Sequence, residues 1–99
     1  MISLNKISKA FSDNNRLKIL EFLSTGQQNV TAVAEDLKVE ENLASHHLRV
    51  LADLGFLKNR KKGRQVFYSL NETRFISLIQ TIAKNPAFKE IIEQAVEEN

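Results

Sequence analysis

The stretch Glu41-Asn-Leu-Ala-Ser-His-His-Leu-Arg-Val-Leu-Ala-Asp-Leu-Gly-Phe-Leu57, with Arg60-Lys-Lys-Gly-Arg64 close behind it, decides how this chain folds. Leu43, Ala44, Leu48, Leu51 and Leu54 recur at helical spacing, and Gly55 ends the run. The spacing predicts an amphipathic helix of about 14 residues, roughly 21 Å long at 1.5 Å per residue. A hairpin follows whose tip is almost all positive charge. A rod of that size fits the major groove of B-DNA, and a cationic hairpin beside it sits against phosphates.

The other face of that helix sharpens the reading. Asn42, Ser45, His46 and Arg49 follow the i, i+3, i+4, i+7 rule, and each can donate a hydrogen bond. A helix that merely covers a core carries lysine and glutamate outside, because these favour helix and water. Asn, Ser and His are weaker helix formers, and base reading gives them a reason to be there. Arginine pairs with guanine, asparagine with adenine, and serine with either. His47 lies between Leu43 and Leu51 at the edge of the apolar face. It reads first as a structural histidine at the helix–phosphate boundary and second as a base contact. Adjacent histidines point about 100° apart on a helix, so the pair is not expected to hold a metal ion.

Charge is concentrated where the hairpin is. Residues 58–64 hold five basic side chains and no acidic one, whereas residues 13–57 hold four basic against seven acidic. Residues 65–99 hold three against five, so one hairpin carries an excess that the rest of the chain nearly cancels to +2. Arg60, Lys61, Lys62 and Arg64 are therefore expected on the DNA backbone.

Working outward, Leu4, Ile7, Ala10 and Phe11 form the stripe of a first helix from Ile2 to Phe11. Ser12 to Asn15 make a turn, and a second helix over about 16–24 stops at Gly26. Val30 marks a short strand, and Thr31 is expected to cap a short third helix over 32–37 and to stand with the DNA-facing residues. A tight turn at 38–40 joins that helix to the first-quoted one, making a helix-turn-helix. Val66, Tyr68 and Leu70 alternate as a strand, with Gly63 in the hairpin turn. Asn71 caps a helix over 72–84 in which Phe75, Leu78, Ile79, Ile82 and Ala83 form one stripe. Pro86 opens a last helix, with Phe88, Ile91, Ile92, Ala95 and Val96 apolar. The expected order is α-α-α-α-β-β-α-α, mainly α with a small β-hairpin wing, a winged helix-turn-helix.

At 99 residues this is expected to be one domain, 1–99, small enough for oligomer formation to add useful burial. No run of 18 apolar residues occurs and no leader is evident, so a cytoplasmic location is expected and no membrane partner. Zero cysteines exclude disulfides and thiolate metal sites. No nucleophile–base pair or phosphate-binding glycine loop can be assembled, and the three glycines all sit in turns, so neither an enzyme nor a cofactor is expected.

Together these residues resemble the ArsR/SmtB family of bacterial winged-helix transcriptional repressors. The resemblance covers residues 10–70 and rests on three linked stretches. They are Ala10-Phe-Ser-Asp-Asn-Asn-Arg-Leu-Lys-Ile-Leu20, then Ala44-Ser-His-His-Leu-Arg-Val-Leu51 through Gly55, then Gly63-Arg64 through Tyr68. The resemblance implies a homodimer formed by the first and last helices, here Leu4, Ile7 and Phe11 with Phe75, Leu78, Ile79 and Ile82. It also implies a palindromic operator and release of DNA on binding an inducer. Metal-sensing members carry cysteines at the start of the third helix, where this chain has Gln28-Asn29-Val30-Thr31. Others use histidine and aspartate pairs after the wing, and residues 72–99 contain no histidine. A member that does not sense metal is expected, its signal a small organic ligand, a protein partner or its own concentration. Glu40 and Glu41 depart from the serine and glutamine common there. They are the best support for the other reading, a winged-helix protein-interaction module that has lost operator binding.

Overall fold

Asp13 fixes where the second helix begins. Its carboxylate accepts from the backbone N–H groups of Asn15 and Arg16 at 2.8 and 3.2 Å, satisfying donors that a helix start leaves open. The computed structural model describes residues 4–97; of the first expected helix, Ile2 lies outside them. The elements are α1 (Leu4–Phe11), α2 (Asn14–Leu23), β1 (Gln28–Asn29), α3 (Val30–Leu37), α4 (Glu41–Asp53), β2 (Leu57–Lys62), β3 (Gln65–Leu70), α5 (Glu72–Ala83) and α6 (Pro86–Glu97). The fold is mainly helical with a small antiparallel sheet, as expected of a winged helix-turn-helix.

The sheet has a strand more than the hairpin alone. Its order is β1-β3-β2, with Gln28 opposite Tyr68 and Asn29 opposite Phe67. The short strand therefore ends before Val30, which is instead the first residue of α3. The cap moves with it. Asn29, held in extended geometry by β3, accepts from Ala32 N–H at 2.8 Å, so Thr31 is not the N-cap and its hydroxyl is released for another partner. At the far end of α3 the chain turns through Lys38, whose φ of 58° is left-handed, and Val39 N–H closes onto Ala34 C=O at 3.1 Å. This is the turn of the helix-turn-helix.

Ile19, Val33, Leu48, Leu51 and Phe56 are fully buried. They come from α2, α3, α4 and the entry to the wing, so α4 and the wing share one core. Phe56 is clasped between Phe11 and Phe75, with ring centroids at 5.8 and 5.4 Å. The two-residue loop of the wing has Gly63 at φ 62° and no positive φ at Arg64, the signature of a II′ hairpin. That turn sets the register Lys62–Gln65 and carries it back to Leu57–Leu70.

The terminal helices depart from the expected dimer stripe. Leu78 is 7% exposed and, with Phe75 and Ile82, packs into the core of its own chain. Leu78 is thus a core residue and not a free interface residue. Ile7 and Phe11 likewise pack partly against that core. What α5 turns outward is Ile76 and Ile79, at 55% and 59% exposed. The side chains of Leu4, Ile92, Ala95 and Val96 lie outside the described set. On α6, Phe88 and Ile91 remain 44% and 60% exposed. The radius of gyration of 14.7 Å exceeds the about 13 Å of a compact chain this long, which fits a helix projecting from its own core.

Candidate nucleic-acid interface

The outer face of α4 is set by its inner one. Ala44, His47, Leu48 and Leu51 are buried, which leaves Asn42, His46 and Arg49 exposed and Ser45 half-buried on the opposite side. An open cleft of ≈ 290 Å³ separates the first turn of this helix from the wing, lined by Asn29, Val30, Thr31, Glu41, Asn42, Ser45, Arg64, Gln65 and Val66. The cleft brings Thr31, Asn42, Ser45 and Arg64 together. His46 and Arg49 continue the face further along α4.

Alternation sorts the wing into two rows. Leu57 and Tyr68 are buried, and the register puts Asn59 and Lys61 on their face. Lys58, Arg60 and Lys62 share the opposite face with Phe67, and Arg64 is in the turn. All five cations are exposed, and none forms an ion pair among the described residues. Lysines on an edge strand such as β2 also discourage pairing with other chains. The expected set omits Lys58; only the strand register shows that it continues the row of Arg60 and Lys62.

His47 is structural, as its first reading has it, but lies away from the helix–phosphate boundary. It is 6% exposed and faces α2, with Nδ1 4.0 Å from Asp13 Oδ1. Its place is the seam between two helices, so it is removed from the exposed face and from base contact. Leu48 and Leu51 go into the core on the same side of α4, and the imidazole follows them. Nδ1 and the Nε of Arg16 are buried with no hydrogen-bond partner among the described residues. Burial pulls the imidazole below its ordinary value of 6.5; the charge of Asp13 opposes this, and those of Arg16 and His46 add to it. Desolvation raises the Asp13 carboxyl, but the Arg16 and Asn15 N–H bonds and the charges of His47 and Arg16 outweigh it and hold it below 3.8.

Glu41 and Thr31 form a contact that the sequence does not announce. Thr31 Oγ1 donates to Glu41 Oε1 at 2.8 Å, tying the start of α3 to the first turn of α4. Glu40 holds the N-cap position of α4 without a side-chain cap bond. Burial pushes the Tyr68 phenol above 10.0, with Arg49 opposing and Asp53 adding to the shift.

Residues 13–59 match the family described as bacterial regulatory protein, arsR family. The chain is 36% identical over 70 residues to the transcriptional repressor SdpR of Bacillus subtilis, a match covering 71% of this chain and 78% of that protein. The chain belongs to the arsR family. It is also 42% identical over 76 residues to a cadmium resistance transcriptional regulatory protein, a CadC homolog of Staphylococcus aureus, across 76% of this chain and 63% of that protein. This chain thus matches less than two thirds of that regulator's length.

Solved structures agree on the architecture of this arsR-family chain. A crystal structure of an ArsR family transcriptional regulator superposes with a TM-score of 0.76 at 25% identity, covering 88% of this chain and 90% of that one. A homodimeric winged helix-turn-helix DNA-binding domain of Mycobacterium bovis superposes at 0.67 with 27% identity, covering 82% and 78%. Among the described residues no helix is long and apolar enough to cross a membrane. No three of the His, Cys, Asp and Glu residues described come together as a candidate metal site.

Proposed function

We propose that this arsR-family chain is one winged helix-turn-helix domain that acts in the cytoplasm as a homodimeric transcriptional repressor of a palindromic operator. In this reading Asn42, Ser45, His46 and Arg49 read base edges, with Thr31 beside them, while Arg60, Lys61, Lys62 and Arg64, joined by Lys58, hold phosphates. One observation carries it. The exposed polar face of α4 runs across a single cleft into the turn of the basic wing, so base-reading and phosphate-holding groups stand side by side.

The dimer rests on the terminal helices. Ile76, Ile79, Phe88 and Ile91 are all exposed on α5 and α6, and burying such side chains contributes about 1.5–3 kcal/mol each. The M. bovis neighbour is a homodimer. A two-fold dimer here would set two copies of α4 into successive major grooves about 34 Å apart.

The dimer is proposed not to answer to a metal. The sequence holds no cysteine, and its two histidines are adjacent, one exposed and the other committed to the Asp13 seam. A small organic ligand or a protein partner then supplies the signal. A gel shift on the chain's own upstream DNA at about 0.15 M salt, with nonspecific competitor, tests the reading. A sequence-selective shift supports it. Its absence would move the reading to the interaction module.

A further inference from the structure

Glu41 puts a negative charge on a surface that the previous reading sets against phosphates. The structure shows how that charge is placed. Glu41 is exposed in the first turn of α4 and lines the cleft with Asn42, Ser45 and Arg64. Thr31 Oγ1 donates to its Oε1 at 2.8 Å, which fixes the carboxylate between α3 and the wing. Its second oxygen takes no hydrogen bond among the described residues. The first turn of a recognition helix is the part that reaches base edges in helix-turn-helix proteins.

A carboxylate can only accept hydrogen bonds. In the major groove guanine offers O6 and N7 and thymine offers O4, all acceptors, which repel it. The only donors there are the amino groups at cytosine N4 and adenine N6. Adenine sets its N7 acceptor beside N6, and a carboxylate has no donor to satisfy it. Cytosine carries no such neighbour. We propose that Glu41, positioned by Thr31, determines specificity by accepting a hydrogen bond from the N4 amino group of a cytosine. Each half-site then carries a C·G pair at one fixed position.

The inference rests on the DNA-binding reading above and adds the base that one residue selects. It also gives the acidic side chain a purpose that phosphate contact cannot. Repulsion from the backbone lowers affinity for every sequence, and only the right base offsets it, so the charge acts by penalising wrong sites.

The test is selection of binding sites from a random duplex pool by the wild-type chain, Glu41→Gln and Thr31→Val, each checked for folding by circular dichroism. The wild-type motif should hold C·G at one position in each half-site. Glu41→Gln should lower that preference about tenfold and turn the position toward adenine, whose N6 and N7 an amide satisfies together, leaving other positions unchanged. Thr31→Val should weaken the same preference most, because it frees the carboxylate without removing it. A Glu41→Gln motif identical to wild type, or a wild-type motif without the C·G position, overturns the inference while leaving DNA binding intact. Failure of the wild-type chain to select any motif overturns the DNA-binding reading and this inference with it.

Discussion

Replacing Gly55 with alanine should loosen the joint between the recognition helix and the wing. Gly55 follows Leu54, the C-cap of α4, at φ +92°, and an added Cβ would lie 2.5 Å from Arg74 Nη2 and 2.7 Å from Arg74 Nε. Asn71 Nδ2 donates to the Gly55 carbonyl at 2.9 Å, and Asn71 N–H to Phe56 C=O at 2.8 Å. The start of α5 thus grips the end of α4, and the Arg74 cation lies where the helix dipole favours one.

Holding alanine in such a backbone costs about 1–3 kcal/mol. The narrower unfolded ensemble returns about 0.4–1 kcal/mol. Pushing Arg74 aside forfeits roughly 0.3–1 kcal/mol of dipole interaction. The net loss should centre on about 2 kcal/mol, a fall in Tm on the order of 10 °C for a chain of this size. Urea unfolding at fixed protein concentration measures it, since any self-association makes apparent stability depend on concentration. In an Arg74→Ala background the strain stays but the collision goes, so Gly55→Ala should cost about 0.5 kcal/mol less there. Wild-type stability in Gly55→Ala, within about 0.5 kcal/mol, would refute the strain reasoning. An equal penalty in both backgrounds would refute the packing of Arg74 on this turn.

Arg64→Ala should weaken binding to all duplexes alike and lower the slope of log affinity against log salt by about one unit; an unchanged slope would take Arg64 off the phosphates. The His47 imidazole is held below 6.5 by burial, so the folded state binds its proton less readily than the unfolded chain. Stability should be full above about pH 6.5 and decline as the pH falls below it, levelling beneath the folded value. Asp13, held below 3.8, adds a separate loss at more acid pH as its folded value is crossed. Urea midpoints between about pH 5 and 8 should therefore slope for the wild type and flatten for His47→Gln; parallel profiles would exclude His47 as the source. Ile79→Glu should leave the monomer folded, because that side chain is 59% exposed, yet shift sedimentation from dimer to monomer. Unchanged sedimentation would place the interface elsewhere.

Local chemistry was readable from the sequence, and contacts between distant elements were not. The inner stripe of α4 at Ala44, Leu48 and Leu51, the glycine turn of the wing and the Asn71 cap each depend on residues a few positions apart, and each is where the sequence puts it; Leu43, expected in that stripe, is instead 42% exposed. Asn29 and Thr31 are both sound helix caps; pairing of Asn29 with Phe67 on β3 decides between them, and no local rule contains that pairing. On α5 the apolar residues occupy two faces. Periodicity does not say that Leu78 turns inward while Ile76 and Ile79 turn outward. His47 sits at the edge of its stripe, and only the approach of Asp13 from α2 shows that it is buried.

The candidate interface divides the same way. Asn42, Ser45, His46 and Arg49 share a face by helical spacing alone, and the wing's charge is plain in the composition. The cleft that joins them to Thr31 and Arg64 requires the whole fold. So does the Thr31–Glu41 bond, which links residues ten positions apart on two helices.

The most direct measurement is amide chemical-shift mapping of the labelled protein titrated with a duplex selected from random sequence, against a scrambled duplex of equal length. Base reading by α4 predicts the largest shifts at Thr31, across residues 41–49 and across the wing at 58–66, with those of α4 present only for the selected duplex. Shifts confined to α5 and α6, or identical shifts with both duplexes, would contradict it.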